Sequence, residues 1–362
     1  MRYLITISLL LITLSGGAQT LPSPDTLTAL MRRAGVPGMQ LVYARRGTTR
    51  TYSLGVRQAG SPLPVTAQTI FEGASLGKAM LAYVALRLLD RGIFDLDRPL
   101  LTYYAYPRLL ADQADQANSK AARITARLVL THRSGLPNWE VPPTSPAWQT
   151  SPLTLRYPPD SCWSYSGEGF TFLQKTLEHL THKSFETLAQ EEIFRPLGLR
   201  HSTFQWQASL AAQAASGHDD QSRPQPISHF AAPYGAFSLL TTAADYSHFL
   251  QALLRGQGLK PATARLLLTP LGQARRCDHA ATPTDAAIAW AAGVGLATTR
   301  RGLAQWQWGD NGSFKGFFLT LPGQQQSLVF LTNSSNGPKM AEQLLRLFFG
   351  PGQDQALRWL RE

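Results

Sequence analysis

Apolar residues recur with two different spacings along the chain, and each spacing predicts one kind of element. Near the start, Ser23, Pro24 and Asp25 are typical of a helix N-terminus, and they predict a short helix over residues 23–33. Alternating strand-like segments follow at residues 38–45 and 49–57, with Gly47 between them, which favours a hairpin.

A helical spacing returns at residues 77–91, where four apolar side chains share one stripe: Met80, Leu81, Val84 and Leu88. Gly92 predicts the end of this helix. The middle of the chain is mostly helical in pattern, and examples lie at residues 169–180, 185–193 and 243–254. The last part alternates again, and it predicts strands at residues 288–296, 305–308, 315–321 and 327–333, followed by a helix at 338–349.

Strands at both ends and helices in the middle predict an α/β (α+β) fold. Sequential hairpins favour an antiparallel sheet, which the first and last helices would flank. After a signal peptide at residues 1–18, we expect one domain over 19–362. Its sheet lobe would take residues 19–95 and 286–362, and an inserted all-helical lobe would take residues 96–285. Clefts between such lobes are favoured binding sites.

The first eighteen residues predict export. An apolar stretch from Tyr3 to Leu14 follows Arg2 and is too short to span a bilayer, and small residues run from Ser15 to Ala18. We therefore expect cleavage after Ala18, a periplasmic or secreted protein, and no membrane association once the signal is removed. The two cysteines, Cys162 and Cys277, could then form a disulfide or stay as thiols, and the sequence leaves both open.

Composition excludes several classes of protein. Of the 362 residues, 44% are hydrophobic, which is too many for a disordered chain, and two cysteines are too few for a disulfide-built scaffold. The net charge of +11 invites a nucleic-acid interpretation, yet the arginines are dispersed as doublets without a basic block. We expect a basic surface near anionic polymers and no nucleic-acid partner.

Ser75 and Lys78 are the strongest candidates for chemistry. They lie at the predicted start of a helix, where residues three apart share a face. A serine hydroxyl needs a base to become a nucleophile, and a lysine serves when burial lowers its pKa. The chain has only seven lysines, so one falls three residues after a given serine with a chance of roughly 2%. Alternatively, Ser75 caps the helix and Lys78 lies on the surface.

The same segment also fits the G-x-S-x-G elbow of the α/β-hydrolases, from Gly73 to Gly77. That elbow requires a hydrophobic strand immediately before it and a parallel sheet. Residues 64–71 are mostly polar and end on Ile70 and Phe71, so the context disfavours this alternative.

Four segments together resemble the serine β-lactamase-like superfamily, which includes class C β-lactamases, D-Ala-D-Ala peptidases, D-aminopeptidases and related esterases. They are residues 71–78, 124–137, 164–169 and 308–316, and the resemblance extends over about residues 25–350. It implies that Ser75 is the acylated nucleophile, Lys78 its proton acceptor and Tyr165 the proton shuttle. It also implies an oxyanion hole from the backbone N–H groups of Ser75 and of Ser313, on the strand after Gly312.

Two positions depart from the family pattern. Gly167 falls where the family's Y-x-N asparagine is expected, so a side-chain donor and acceptor is lost. Asp310, Asn311 and Gly312 fall where a K-T-G or H-x-G motif is expected, so an anion replaces a cation among the substrate-binding positions. We expect Asp310 to repel a substrate carboxylate. Lys315 would not compensate, because five residues of extended strand would place it roughly 16 Å away on the opposite face.

The sequence thus predicts an exported serine hydrolase that forms an acyl-enzyme with an ester, an amide or a D-amino-acid peptide. The substrate would be a small molecule or peptide, for instance one derived from the cell wall, and β-lactamase activity would be weak. No metal or cofactor is expected, and the oligomeric state stays open. Two alternatives remain: a catalytically silent binding protein, or a true class C-type β-lactamase or D-Ala-D-Ala carboxypeptidase. The histidine His132 is expected to lie in a structural turn.

Overall fold

The computed structural model describes residues 21–112 and 120–362. The predicted signal segment lies outside these ranges. The α-helices are α1 (Pro24–Ala34), α2 (Gly77–Asp90), α3 (Ala126–Leu130), α4 (Gly167–Thr181), α5 (Phe185–Ala189), α6 (Arg195–Leu197), α7 (Ala243–Arg255), α8 (Pro261–Arg265), α9 (Pro338–Phe349) and α10 (Gln355–Arg361). A π-helical turn, Gln190–Phe194, joins α5 to α6. Short 3-10 helices lie at Leu100–Thr102, Pro107–Asp112, Lys120–Arg123, Ala208–Leu210, Pro283–Ala287 and Pro322–Gln324.

Most strands belong to one antiparallel sheet. The strands are β1 (Gly38–Arg45), β2 (Thr48–Gly55), β3 (Phe71–Ala74), β4 (Gly217–His218), β5 (Pro224–Gln225), β6 (Leu239–Thr241), β7 (Gly272–Gln273), β8 (Ile288–Trp290), β9 (Gly295–Thr299), β10 (Gly302–Asp310), β11 (Lys315–Leu321) and β12 (Gln326–Thr332). The large sheet has eight strands in the order β2-β1-β12-β11-β10-β9-β8-β7. Two separate pairs, β3-β6 and β4-β5, complete the strands.

This topology confirms the expected antiparallel sheet and excludes the α/β-hydrolase alternative. The lobe over residues 96–285 is not all-helical as expected, because it also contains β4, β5, β6 and β7, and β7 is an edge strand of the large sheet. Every pairing in the large sheet is antiparallel, and β3, which precedes Ser75, pairs with β6 outside that sheet. Two expected elements are corrected. The single strand predicted over residues 288–296 is broken into β8 and β9 around Gly293, whose positive φ of 84° reverses the chain. The helix predicted over residues 185–193 changes to π-helical geometry after Ala189.

Apolar side chains cover both faces of the large sheet. One face packs against α1, α9 and α10, and its core includes Trp290, Trp306 and Trp359. The other face packs against α2, α4, α5 and α7, with α2 almost entirely buried. Because α2 lies in this core, any polar group on it is removed from water. Within the described ranges no helix is long and apolar enough to cross a membrane.

Cys162 and Cys277 form a disulfide, which settles the alternative that the sequence left open. The bond ties the segment before α4 to the chain that follows β7. Beside it, the Trp163 N–H donates to the Arg275 carbonyl at 2.8 Å, and the Cys277 N–H donates to the Trp163 carbonyl at 3.1 Å. Tyr165, two residues beyond Trp163, therefore starts from an anchored stretch of backbone.

Candidate active site

Ser75 lies in a tight turn between β3 and α2. Ala74 adopts a left-handed φ of 49°, and the Leu76 N–H donates back to the Gly73 carbonyl at 3.0 Å. Left-handed backbone is uncommon for a residue with a side chain, and such strain clusters at functional sites. The Ser75 hydroxyl makes no helix-capping hydrogen bond to α2, so the alternative that Ser75 is a plain helix cap is wrong.

Lys78 is fully buried beneath Ser75. Its Nζ donates to the Ser75 Oγ at 3.0 Å and to the Ala236 carbonyl at 2.6 Å. Neither partner carries a charge, and among the described residues no carboxylate forms an ion pair with Lys78. Burial in these surroundings lowers the pKa of Lys78 to about 7. A neutral amine is therefore well populated near neutral pH, and the alternative that Lys78 lies on the surface is wrong.

Tyr165 completes this cluster from the segment that leads into α4. Its ring lies over the Lys78 Nζ, 4.8 Å from the ring centroid, and its hydroxyl interacts with the Ser75 side chain. Desolvation raises the pKa of Tyr165 above 10, although the Ser75 contact and a 3.5 Å bond from Gln307 Nε2 oppose the rise. The structure thus brings together the three side chains that the sequence singles out for catalysis.

His132 holds the Tyr165 segment in place. Its backbone is left-handed, with a φ of 54°, in the turn after α3, as the sequence predicts. The His132 carbonyl accepts from the Ser164 N–H at 2.8 Å, and the His132 Nδ1 accepts from the Ser166 N–H at 3.1 Å. The His132 ring packs 4.4 Å from the Tyr165 ring. These contacts reach backbone on both sides of Tyr165, a role that the sequence does not reveal.

Burial, reinforced by the Lys78 charge, keeps the pKa of His132 well below its usual value. The imidazole is therefore neutral at physiological pH. Because Nδ1 accepts the Ser166 N–H, the ring proton belongs on Nε2.

On the sheet side, the side chain of Gln307 on β10 approaches Ser75 and Tyr165 directly, whereas the sequence predicts Asp310 and Asn311 as the polar residues on this side of the site. Its Nε2 lies 3.4 Å from the Ser75 carbonyl oxygen and 3.5 Å from the Tyr165 hydroxyl. Gly309 follows on the same face of β10, and a Cβ there would lie 2.4 Å from the Gly73 carbonyl oxygen. The strand thus passes directly against the Ser75 turn at Gln307 and Gly309, which the sequence analysis did not single out.

The hairpin from β10 to β11 corrects the expectation for Lys315. Asp310 and Lys315 face each other across the two strands, and their side chains form an ion pair. Lys315 does not lie roughly 16 Å away on the opposite face as expected, because the chain reverses at residues 311–314. Gly312, with a φ of 72°, and Ser313 lie in this turn, and β11 begins only at Lys315.

Ser313 lies in that turn and not on a strand, and its contacts are with residues of β4. Its carbonyl accepts from the His218 N–H at 3.3 Å, and its side chain occupies the space beside Gly217. Asn311 points the other way: its Nδ2 donates to the buried Glu72 at 2.6 Å and to the Phe237 carbonyl at 3.1 Å. Burial raises the pKa of Glu72, which also accepts from the Ser228 N–H. Glu72 thereby fixes two parts of the cleft rim.

A cleft opens directly over Ser75, between the helical side and the sheet. Its lining is largely aromatic, and it consists of Ser75, Asn138, Trp139, Pro143, Thr144, Tyr165, Ser228, Phe230, Phe237, Trp308, Asp310 and Asn311. Gly167 lies behind this lining, and its N–H donates to the Asn138 Oδ1 at 3.0 Å. Across the described ranges, no group of three or more His, Cys, Asp or Glu side chains could hold a metal ion.

A serine in contact with a buried lysine and a tyrosine, held between an antiparallel sheet and a helical side, is the arrangement that the sequence predicts for a serine β-lactamase-like protein. The family model for Beta-lactamase matches residues 24–348, and the chain belongs to that family.

The chain is also similar to named relatives, and its fold matches that of a solved structure. Penicillin-binding protein 4 of Amycolatopsis lactamdurans is 26% identical over 90% of this chain and 88% of its own length. The D-alanyl-D-alanine-carboxypeptidase/endopeptidase AmpH of Escherichia coli is 25% identical over 66% of this chain and 64% of its own length. The structure of a class C β-lactamase superimposes with a TM-score of 0.74 at 18% identity, over 90% of this chain and 94% of that one.

Proposed function

We propose that this protein is a serine hydrolase that works through an acyl-enzyme on Ser75. The observation that carries the proposal is the contact between the Lys78 Nζ and the Ser75 Oγ, in surroundings that lower the pKa of that lysine to about 7. A buried amine that is neutral near pH 7 accepts the serine proton without a further base.

The reaction proceeds in two balanced steps. The Ser75 oxygen attacks the substrate carbonyl while its proton passes to Lys78, and the tetrahedral intermediate expels the alcohol or amine, which takes a proton relayed through Tyr165. Water then attacks the acyl carbon and gives up a proton to the same groups. The bond between the acyl carbon and the Ser75 oxygen breaks, the acid leaves, and that proton returns to the Ser75 oxygen. The Tyr165 hydroxyl contacts Ser75 and its ring contacts Lys78, so one path serves both steps.

The register of the β10–β11 hairpin supports a backbone donor for the oxyanion. The Asn311 N–H donates to the Phe314 carbonyl, so the next pair along the ladder, Asp310 and Lys315, is not hydrogen-bonded across the strands. The Asp310 N–H therefore points away from β11, at the edge where Gly309 meets the Ser75 turn. We propose the N–H groups of Ser75 and Asp310 as the oxyanion hole, in place of Ser313.

The proposed substrates are esters, amides or D-amino-acid peptides, with weak turnover of β-lactams. The relatives are named as β-lactamases, penicillin-binding proteins and a D-alanyl-D-alanine carboxypeptidase, which supports this range. Where a cation next to the nucleophile would hold a substrate carboxylate, this chain offers the neutral amide of Gln307. The charge of Lys315 is already balanced by Asp310. A carboxylate on the substrate would therefore meet a neutral amide and an already paired cation here, and it would add little to the binding free energy.

Export to the periplasm or the cell exterior is part of the proposal. Residues 1–18 have the pattern of a signal peptide. The Cys162–Cys277 disulfide supports this localisation, because such bonds persist in oxidising compartments.

The test is covalent labelling of the purified protein with a fluorophosphonate, which is attacked by the serine oxygen and loses fluoride. We expect stoichiometric labelling of the wild type and none of Ser75→Ala, while Ser209→Ala, at an exposed position, labels as the wild type does. Undiminished labelling of Ser75→Ala would refute the assignment of the nucleophile. An unlabelled wild type that also gives no burst with activated esters would favour a binding protein on this fold.

A panel of substrates tests the specificity. Aryl esters, D-amino-acid amides and a chromogenic cephalosporin are compared by kcat/KM with the same enzyme preparation. We expect the aryl esters to be turned over faster than the cephalosporin. The opposite order would overturn the argument from the missing cation.

A further inference from the structure

Position 167 is a glycine because another residue occupies the space of its side chain. A Cβ on Gly167 would lie 2.3–2.6 Å from three atoms of the Trp139 ring, which real Cβ atoms do not tolerate. Gly167 begins α4 and is not among the glycines with a positive φ, so its backbone would accept other residues. The glycine therefore serves the placement of Trp139 and not the conformation of the chain.

Trp139 is held firmly in that place. On one side, the Asn138 Oδ1 accepts from the Gly167 N–H at 3.0 Å, and the Asn138 carbonyl accepts from the Glu168 N–H at 3.1 Å. On the other side, the Glu168 carboxylate accepts from the Glu140 N–H at 3.1 Å and from the Trp148 Nε1 at 2.9 Å. The buried Glu168 is itself paired with Arg108, so the loop that carries Trp139 is pinned to the start of α4.

The half-buried Trp139 ring faces the reaction centre. Its centroid lies 5.9 Å from the Lys78 Nζ, and it lines the cleft over Ser75. The ring packs edge-on against Phe237, with centroids 5.4 Å apart, and Phe230 packs on the far side of Phe237. An apolar, flat wall therefore stands where the family pattern would place a side-chain donor and acceptor.

The wall faces the acyl half of the substrate. In the proposed mechanism Tyr165 protonates the leaving group, and Trp308, whose ring packs 4.6 Å from the Tyr165 ring, lines the same side of the cleft. The ring partners of Trp139 are instead Trp148 and Phe237. The part of the substrate that stays on Ser75 is the one that meets this wall.

We propose that Trp139, in the space left by Gly167, forms an apolar acyl-binding subsite, and that the substrates are acyl compounds with an aromatic or branched apolar group near the scissile carbonyl. This inference rests on the proposed function. An acyl group that depends on hydrogen bonds to a side chain at position 167 finds no partner here, whereas a phenyl ring packs against Trp139 at the edge-on or offset distances that aromatic pairs favour.

The first experiment holds the leaving group constant. The 4-nitrophenyl esters of acetate, butanoate and phenylacetate are compared by kcat/KM for the wild type, Trp139→Phe and Trp139→Ala. We expect the wild type to prefer phenylacetate to acetate, Trp139→Ala to lose about 10-fold or more of this preference, and Trp139→Phe to keep most of it. Trp206→Ala, at a tryptophan that stacks on His229 outside the cleft, is the matched control and keeps the preference.

The second experiment tests the shared space. Gly167→Ala pushes against the Trp139 ring, so we expect it to lower kcat/KM for phenylacetate at least about 10-fold. The double variant Gly167→Ala/Trp139→Ala is expected to perform no worse than Trp139→Ala alone, because the clash is gone. Each variant is checked for a wild-type thermal transition.

The outcomes separate this inference from the proposed function. A wild type that labels at Ser75, but whose preference among the esters survives Trp139→Ala or never favours phenylacetate, overturns the acyl subsite alone. If Gly167→Ala keeps the wild-type kcat/KM for the phenylacetate ester, the claim that residue 167 and the Trp139 ring compete for one space is refuted. A wild type that neither labels nor turns over any ester overturns both.

Discussion

Two lysines contact residues that line the cleft, Lys78 through Ser75 and Lys315 through Asp310, and their charges are treated in opposite ways. Lys78 is fully buried on α2 and has only neutral partners, the Ser75 hydroxyl and the Ala236 carbonyl. Lys315 lies at the mouth of the β10–β11 hairpin and forms an ion pair with Asp310. One site removes an amine from water without a counter-charge, and its pKa falls to about 7. The other balances a cation with an anion. Only the first arrangement yields a base.

The largest effect is expected from Lys78→Met, which removes the proton acceptor but keeps an apolar chain of similar length. We expect kcat/KM to fall by about 10³-fold or more, which is within the range for a positioned general base. The measurement is ester hydrolysis at pH 7.5, with Lys183→Met as a control, since Lys183 forms an exposed pair with Glu191. Activity within about 10-fold of the wild type would exclude Lys78 as the base.

The same lysine predicts a pH dependence with a defined sign. Because the active form is the neutral amine, activity should rise with pH through about 7 and fall below it. The unfolded chain, where the pKa is near 10.5, holds the proton more tightly, so burial of Lys78 costs stability below about pH 7, and this cost declines between 7 and 10.5. At pH 6–7 the free energy of unfolding of Lys78→Met should thus exceed that of the wild type by roughly 1–3 kcal/mol, and the variant should unfold at a higher temperature. Equal melting temperatures would contradict the uncompensated burial.

A smaller effect is expected at His132, which positions Tyr165 through the backbone of Ser166. His132→Phe leaves the buried Ser166 N–H without its acceptor, which costs about 1–3 kcal/mol. We expect kcat to fall about 10- to 100-fold with KM changed less than about 3-fold. His132→Asn offers an oxygen in place of Nδ1 and should recover part of kcat. If the two variants behave alike, the acceptor is not what matters.

The sequence predicts the surroundings of Lys78 better than those of Lys315. Ser75 lies in the turn that leads into α2, where the Lys78 N–H donates to the Ser75 carbonyl at 3.1 Å, so the relative position of the two residues is set locally along the chain. Tyr165 lies in a short motif that resembles the family pattern. The hairpin end depends on where the chain turns. The prediction for Lys315 treated residues 310–315 as one extended strand, whereas the chain turns at residues 311–314 and brings Lys315 back opposite Asp310.

Other features of the site have no signal in a single sequence. The roles of His132, Glu72 and Trp139 come from contacts between residues far apart in the chain, and a buried acceptor or a ring that fills the space of a missing side chain looks like ordinary core composition. The sequence shows that Gly167 departs from the family pattern, but the reason for the glycine lies in the Trp139 ring, which occupies the space of its side chain. The fold is predicted better than the site, because the spacing of hydrophobic residues and the turn residues determine most strands and helices locally.

The smallest effect is expected from a substitution of Asp310. It tests whether the ion pair with Asp310 prevents Lys315 from attracting a substrate carboxylate. Asp310→Asn keeps the backbone N–H that we assign to the oxyanion hole and the shape of the side chain, but it removes the charge opposite Lys315. Since Asp310 is half-exposed, water screens its charge and the pair contributes little, so the melting temperature should change by less than about 2 °C. Aryl-ester turnover should stay within about 3-fold, while turnover of the anionic cephalosporin should increase by less than about 10-fold as Lys315 becomes free to attract it. Lys315→Met in the same background should cancel that increase. A cephalosporin rate that rises as much without Lys315 would show that Asp310 itself had repelled the carboxylate, as the sequence alone suggested.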